Sequence, residues 1–306
     1  MSRKGLNIHD KFVKESFSDP ERAKAFFNEF LPKHLLVELD LETLVVNQEA
    51  HLGDDLRSIF SDLVFTIGLK NKIKKQVELV LLFEHKSTPY KYVVMQVGHY
   101  MFSQWNKCLR EGSETKPIIP VVYYQGKSKW VPPTILELFD GISDQVGKNL
   151  PSIPIIFLPL KELSNEQILR IKNHMMVTAI MAQKTKINPI RMGEDLLKIL
   201  KLFPEAPFSG NFYELILVYL IKSTELSKTS LNMAIEELSD AKKKNMMSTF
   251  DQIKLEGKLE GKLEGKLEGK REVILKAHKN GLSMELIANL TGMDIPEIEK
   301  IISELN

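Results

Sequence analysis

The sequence predicts an α/β (α+β) fold in which a mixed sheet flanked by helices precedes a helical C-terminal region. Apolar runs rich in Val, Leu and Phe, which are typical of buried strands, occur near residues 60–65, 80–84 and 117–124. Helical periodicity lies before the first run, between the second and third runs, and from about residue 163 onward. This β-β-α-β order indicates a mixed sheet covered by helices.

The first element in chain order is a helix that starts at Pro20. Ser18 or Asp19 can act as its N-cap, Pro20 occupies the first helical position and Glu21 lies in the first turn. Apolar residues then recur at helical spacing until Pro32, which marks the end of the helix.

Two strands come next, and each carries a carboxylate. Asp62 lies inside the first apolar run, and Glu84, followed by His85 and Lys86, ends the second run. Because strand side chains alternate between faces, Glu84 and Lys86 share a face and His85 points away. If residues 70–76 form a turn, the strands make a hairpin in which Asp62 can meet Glu84. Two close carboxylates are unfavourable unless a cation lies between them, so the pattern predicts a divalent-metal site.

A divalent ion beside an ammonium group is suited to hydrolysing a phosphodiester. Asp62 and Glu84 would hold Mg²⁺ or another divalent cation, with the backbone carbonyl of His85 as a further ligand. Lys86 would orient the attacking water or stabilise the transition state. The alternative is an exposed strand end, where Glu84 and Lys86 form an ion pair that contributes little stability.

The rest of the predicted fold follows in order. A break at Pro89 precedes a helix over residues 93–109, which the Gly112 segment ends. Residues 117–124 form a third strand and residues 153–160 a further one. The chain after residue 163 is helical, with breaks near residues 189 and 204–207.

Lysines cluster in the predicted turn between the two acid-bearing strands. They are Lys70, Lys72, Lys74 and Lys75. A basic hairpin tip beside the metal site can contact DNA phosphates and would make the affinity fall with salt. The alternative is a solvated turn whose lysines are there because turns are exposed.

Six landmarks around these elements resemble the PD-(D/E)XK nucleases. They are His9-Asp10-x-x-x-Lys14, Ser18-Asp19-Pro20-Glu21, Phe30-Leu31-Pro32, Ser61-Asp62-Leu63, Leu82-Phe83-Glu84-His85-Lys86-Ser87 and Pro120-Val121-Val122-Tyr123-Tyr124-Gln125-Gly126. Together they look like the bacterial recombination-promoting nucleases, also known as YhgA-like transposases, over most of residues 9–200. The resemblance implies a restriction-endonuclease-like fold and a magnesium-dependent DNA endonuclease associated with recombination and mobile elements. By position it makes Asp62, Glu84 and Lys86 the catalytic set, although many members carry Gln in place of Lys86.

A second part of the resemblance concerns the helix after the acid-x-Lys strand. Gln96 and Tyr100 are four residues apart, so they share a helical face. RecB-like nucleases carry a Gln-x-x-x-Tyr pair at the corresponding place, where it supports the site and contacts DNA. The alternative is an amphipathic helix whose Gln and Tyr lie at the boundary of the core.

The C-terminal part begins with a repeat. Residues 254–270 repeat Leu-Glu-Gly-Lys four times, which on a helix gives a drifting Leu stripe with a Glu row on one side and a Lys row on the other. A lone helix of this kind is weak, because each Gly costs roughly 1 kcal/mol against Ala and the i, i+4 pairs join like charges. Pairing with a second helix would bury the Leu stripe, so we expect a homo-oligomer through residues 254–270. The alternative is a low-complexity linker.

After the repeat, Ser283 caps a short helix, Gly292 lies in a turn and Pro296 starts a final helix. This order of elements is typical of a helix-turn-helix motif. The second helix is acidic, which argues against binding in a DNA groove and favours a small helical module that only packs. The expected domains are a nuclease domain at 1–200, a helical extension at 201–250, the repeat at 251–272 and this module at 273–306.

Composition limits the classes of binding partner. The chain has 306 residues and a net charge of only +2, so DNA binding would require a local basic patch. The single cysteine, Cys108, excludes an internal disulfide and a Cys-cluster zinc site. No signal peptide or membrane span is visible, so we expect a cytoplasmic protein that does not contact a membrane.

The leading interpretation is therefore a metal-dependent DNA endonuclease. The alternative is a catalytically idle DNA-binding or scaffolding protein that assembles through its repeat helix. The intact set of Asp62, Glu84 and Lys86 favours the enzyme, because a scaffold does not need this cluster of charges.

Overall fold

A computed structural model describes residues 8–47, 63–84, 90–187, 192–208, 210–223 and 228–303. The chain starts with three helices, α1 (Ile8–Phe17), α2 (Pro20–Phe30) and α3 (Lys33–Glu38). The N-cap of α2 is Asp19, whose carboxylate accepts a hydrogen bond from the backbone N–H of Arg22 at 2.8 Å. The start of this helix is as predicted, and α3 follows directly after Pro32.

The sheet has five strands in the order β1-β2-β3-β4-β5. The strands are β1 (Leu39–Asn47), β2 (Leu63–Leu69), β3 (Lys72–Glu84), β4 (Ile118–Tyr124) and β5 (Ile156–Pro159). The first three pair antiparallel, and β3, β4 and β5 pair parallel. The mixed sheet flanked by helices is confirmed, and the fold class is α+β.

The structure changes three details of the predicted sheet. One strand, β1, is not among those that the apolar runs predict. The turn between β2 and β3 covers Lys70 and Asn71, not residues 70–76, because β3 already begins at Lys72. The last strand covers Ile156–Pro159 and is shorter than the predicted 153–160.

Helices cover both faces of the sheet. On one face lies α4 (Val93–Glu111), which ends at Gly112 in the left-handed conformation, as predicted. It packs on a cluster that includes Val64 of β2, Val80 and Leu82 of β3, and Val122 of β4. On the other face, rings of α1 and α2 pack edge-on against Phe65 of β2 and Tyr123 of β4. Burial of apolar side chains on both faces of the central strands explains their continuous apolar runs.

The remaining helices follow the sheet. Short 3-10 turns cover Leu136–Leu138 and Leu160–Glu162. The helices are α5 (Asp144–Gly147), α6 (Asn165–Leu169), α7 (His174–Ile187), α8 (Met192–Lys201), α9 (Phe212–Ser223), α10 (Lys228–Glu236), α11 (Asp240–Lys279), α12 (Met284–Thr291) and α13 (Ile295–Ser303). None of those in the described residues combines the length and apolarity that crossing a bilayer requires.

The chain divides into two compact units, Met1–Lys243 and Lys244–Asn306. In the second unit, the end of α11 packs with α12 and α13 around Ile274, Ile287 and Ile298, which are fully buried. Ser283 caps α12 and Gly292 ends it in the left-handed conformation, as the sequence predicts. The repeat is helical because it lies within α11. The finer domain boundaries remain predictions.

Candidate active site

The predicted metal site belongs to one edge of the sheet, where β2 begins and β3 ends. Leu63, the first residue of β2, pairs with Leu81 of β3. Because the two strands are antiparallel, Leu63 and the end of β3 at Glu84 lie at the same edge. The backbone of Glu84 is described, and it pairs with Tyr124 of β4. Asp62, His85 and Lys86 lie outside the described residues.

The strand ends at this edge are packed against α4. Val64 pairs with Val80, and both side chains belong to the apolar cluster under α4, as does Leu82. Tyr100 of α4 is 5% exposed and joins the same cluster. Gln96 is half-buried one turn before it. The structure therefore places the Gln-x-x-x-Tyr pair on the helix that covers the ends of β2 and β3, and its role in the site stays a prediction.

The lysines of the predicted DNA-contacting tip lie elsewhere. The Lys70 ammonium group donates to the carbonyl of Leu36 at 2.6 Å, and Lys75 forms an ion pair with Glu114. Lys75 and Glu84 are nine positions apart on β3, which is roughly 30 Å along an extended strand. The expected proximity of this tip to the metal site is therefore wrong, because the tip and the predicted metal site lie at opposite ends of β2 and β3.

The other two lysines of this tip are Lys72 and Lys74. Lys72 is exposed at the start of β3, and the side chain of Lys74 lies outside the described residues. Contact of Lys70, Lys72, Lys74 and Lys75 with DNA stays a prediction, for a surface at the far end of β3.

A buried carboxylate of β3 lies between these two ends. Glu78 is 8% exposed, and burial raises the pKa of its carboxyl group, with Lys116 opposing the shift. It is six residues before Glu84, which is roughly 20 Å along the strand. Glu78 is therefore too distant to share an ion with Glu84.

A buried hydrogen-bond network supports β4 on the sheet face opposite α4. His9 Nε2 lies 2.8 Å from Gln125 Oε1, and His9 Nδ1 lies 2.7 Å from the Tyr219 hydroxyl. Gln125 donates its amide to Gln183 Oε1 at 2.8 Å, and the Tyr123 hydroxyl donates to the same oxygen at 3.0 Å. All five side chains are nearly or fully buried.

The donors and acceptors of this hydrogen-bond network can be assigned in one consistent way. Because Gln125 donates through its amide nitrogen, its oxygen accepts from His9, which must carry its proton on Nε2. His9 Nδ1 then accepts from the Tyr219 hydroxyl. Burial raises the pKa of Tyr123, so this hydroxyl stays a donor. A chain of satisfied donors and acceptors fixes the end of β4, next to Tyr124, the register partner of Glu84.

His9 and Gln125 are landmarks of the family resemblance, but the resemblance does not predict their contact. Their sequence separation of 116 residues hides the pairing. A neighbouring landmark, Gly126, has a steric cause: a Cβ there would lie 2.1 Å from the Tyr124 hydroxyl. That hydroxyl is within 2.7 Å of Ser128 Oγ. The turn after β4 therefore requires a residue without a side chain at position 126.

The oxygen ligands of the predicted metal site, carboxylates and a backbone carbonyl, suit a divalent ion. Among the described residues, no group of three or more His, Cys, Asp or Glu side chains could hold a metal. The predicted set adds Asp62 and the side chain of Glu84, which are outside that description. Two carboxylates with a backbone carbonyl are a donor set that fits Mg²⁺.

Comparisons with known proteins point to one family. Residues 7–207 match the family described as "Putative transposase, YhgA-like". Recombination-promoting nuclease RpnA of Escherichia coli K12 is 27% identical over 128 residues, which cover 41% of this chain and 43% of RpnA. Recombination-promoting nuclease RpnD of Escherichia coli O157:H7 is 21% identical over 163 residues, which cover 51% of this chain and 61% of RpnD. The chain thus spans about half the length of these curated relatives. No solved structure is a significant match.

Proposed function

Because this chain belongs to the YhgA-like transposase family, as its motifs predict, we propose that it is a nuclease that acts on DNA in recombination. The names of RpnA and RpnD support this activity class. The proposed chemistry is hydrolysis of phosphodiester bonds with a divalent ion, Mg²⁺ first, at the edge where β2 begins and β3 ends.

The observation that carries the proposal is the register of β2 against β3. Val64, Val80 and Leu82 share the face under α4. We propose that the strand alternation continues to Asp62, two residues before Val64, and to Glu84, two residues after Leu82, so that both would belong to that same face. If the register also continues by one residue, Asp62 would lie opposite Leu82 and would be a diagonal neighbour of Glu84, at roughly 7–8 Å between Cα atoms. Carboxylates at this spacing can bind one ion.

Each residue of the proposed site has a separate task. Asp62, Glu84 and the carbonyl of His85 would hold the ion. When bound, such an ion lowers the pKa of its water and neutralises charge on the phosphate. Lys86 would orient the attacking water or stabilise the negative charge of the transition state. Gln96 and Tyr100 would support the site from α4, whose cluster contains Leu82.

A second candidate function rests on the repeat. Leu255, Leu259 and Leu267 are 59%, 53% and 57% exposed, so the Leu stripe is open along this part of α11. Exposed Leu rows of this length are typical of partner surfaces. This favours self-association through residues 254–270, and it is compatible either with an oligomeric nuclease or with a catalytically idle DNA-binding or scaffolding protein.

Charge selects the arrangement of the two helices. In a parallel pair related by a two-fold axis, the Glu row of one chain faces the Lys row of the other on both sides of the Leu stripe. In an antiparallel pair, Glu faces Glu and Lys faces Lys. The proposed oligomer is therefore built on a parallel pair of repeat helices.

The test of the nuclease is plasmid cleavage. Supercoiled plasmid is incubated with the protein and Mg²⁺, with EDTA as the metal-free control, and cleavage is followed on a gel. We expect nicked or linear product from the wild type and none from Asp62→Ala. The matched control, Asp144→Ala, removes an exposed acid in α5 and should cut normally. Equal cleavage by Asp62→Ala would sink the assignment of the site, and an inactive wild type would favour the scaffold.

A further inference from the structure

The outer face of α4 carries an exposed apolar row that the core does not use. Tyr92, Met95, Phe102 and Leu109 are 39%, 48%, 56% and 70% exposed. His99 and Asn106 lie between them and are exposed as well. These positions recur at steps of three and four residues, so they form one face, opposite the face that packs on the sheet. Large apolar side chains exposed in a row mark a contact surface.

The aromatic members of this face have defined positions. The rings of Tyr90 and Tyr92 are 5.5 Å apart and inclined at 64°, and the ammonium group of Lys91 lies 4.7 Å from the centre of the Tyr92 ring. Phe102 packs against Trp105 at 5.7 Å, and Trp105 is anchored by a hydrogen bond from its Nε1 to the carbonyl of Lys116. The exposed rings are thus held by neighbours and do not have to be ordered on binding.

The charge of this segment fits a polyanion. Residues 90–110 contain Lys91, Lys107 and Arg110 and no Asp or Glu, and the acid of α4 is its last residue, Glu111. The whole chain, in contrast, has 42 basic and 40 acidic residues. Aromatic rings interleaved with cations are the composition that binds single-stranded nucleic acid, because bases stack on the rings and cations contact the phosphates.

We propose that the outer face of α4 binds an unpaired DNA strand, with bases stacked on Tyr92 and Phe102 and phosphates near Lys91 and Arg110. This inference rests on the proposed nuclease function and assigns its substrate class: DNA with unpaired bases beside the cut. Bases inside an intact duplex stack on one another, and the face of such a base can stack on an aromatic side chain only after the base is flipped out.

The position of the face supports this substrate. Tyr92 precedes the first residue of α4, and it is eight residues after Glu84, the end of β3. Tyr92 and Phe102 are ten residues apart, which is about 15 Å along the helix axis. Because β3 and β4 are parallel and α4 connects them, Tyr92 lies toward the end of the sheet where β3 ends, and Phe102 lies further back along the helix.

The binding test separates stacking from cleavage. Fluorescence anisotropy is measured in EDTA with a labelled thymidine oligonucleotide and with a duplex of the same length. We expect the wild type to bind the single strand more tightly than the duplex. Phe102→Ala and Tyr92→Ala should each weaken single-strand binding about tenfold. Phe102→Tyr keeps the ring and should bind normally, as should the control Leu169→Ala, which removes an exposed side chain from α6.

The outcomes are distinct. Unchanged single-strand affinity in both alanine variants, or preference for duplex in the wild type, overturns the proposal. If these variants change the mass in light scattering and leave DNA affinity unaltered, the face is a protein contact and the proposal is likewise overturned. Failure of the nuclease itself shows differently, as a wild type that binds the oligonucleotide and, with Mg²⁺, cuts neither the plasmid nor the oligonucleotide.

Discussion

At the scale of residues, the buried network of His9, Gln125 and Tyr219 shows how polar side chains are accommodated in this interior. A buried polar group is tolerated when each donor meets an acceptor. His9 achieves this with both ring nitrogens, because Gln125 accepts from one and Tyr219 donates to the other. The arrangement joins α1 and α9 to the end of β4, and so supports the strand that pairs with Glu84.

Removal of the Tyr219 hydroxyl tests this arrangement. Tyr219→Phe leaves His9 Nδ1 without that donor in a buried site, so we expect the free energy of unfolding to fall by about 1–3 kcal/mol. Urea denaturation measures the change. Tyr213→Phe is the matched control, because Tyr213 is also buried and packs on Phe203. A loss no larger for Tyr219→Phe than for Tyr213→Phe would contradict the network's contribution to stability.

The residues of the proposed site and those of the buried network differ in how far the sequence predicts them. Asp62, Glu84 and Lys86 stand out in the sequence because charged residues interrupt or end apolar runs. The partners of His9 do not stand out, because Gln125 and Tyr219 come from two distant parts of the chain and no local pattern links them. Long-range hydrogen bonds of this kind depend on how the helices pack on the sheet.

At the scale of elements, local signals decide what sequence reasoning can find. The start of α2, the end of α4 at Gly112 and the cap at Ser283 each follow from one residue with a strong preference, and each is confirmed. The strand β1 lacks such a signal. Its acids and its mixture of buried and exposed positions look unlike the apolar runs of β2 and β3. Its strand conformation comes from pairing with β2.

The hairpin shows a similar limit. Lysines over residues 70–75 suggest a long exposed turn, yet the turn is two residues long and β3 begins at Lys72. Polar residues at the end of a strand are compatible with backbone pairing, because their side chains are exposed to solvent. The consequence is functional, since it moves these lysines to the far end of β3 from Glu84.

The repeat helix is the element whose purpose is most open to a direct test. Replacing Leu259 and Leu267 together by Ser removes half of the Leu stripe, so we expect the wild-type oligomer to dissociate and the mass in light scattering to fall to that of a single chain. The glycine positions of the repeat are open, because nothing lies within 4 Å of where a side chain would stand at the four repeat glycines.

Leu290→Ser is the matched control for this experiment. Leu290 is 61% exposed on α12 and lies outside the stripe. It should leave the mass unchanged. A mass that is the same in the wild type and in the stripe variant would show that residues 254–270 do not hold copies of the chain together.

At the scale of the whole molecule, a sheet-based unit and a helical unit carry different tasks. The family match covers residues 7–207, so it lies within the first unit, Met1–Lys243. The proposed metal site and the outer face of α4 both belong to that unit. The repeat and the small module of α12 and α13 belong to the second unit. We therefore propose that the first unit carries the chemistry and that the second unit carries the assembly.

We propose that Asp62 and Glu84 hold one divalent ion together, and isothermal titration calorimetry with Mn²⁺ measures this binding. We expect the wild type to bind Mn²⁺, Asp62→Asn and Glu84→Gln each to lose this binding, and the exposed-acid control Asp144→Asn to retain it. Wild-type binding that persists in either site variant would overturn the shared metal site.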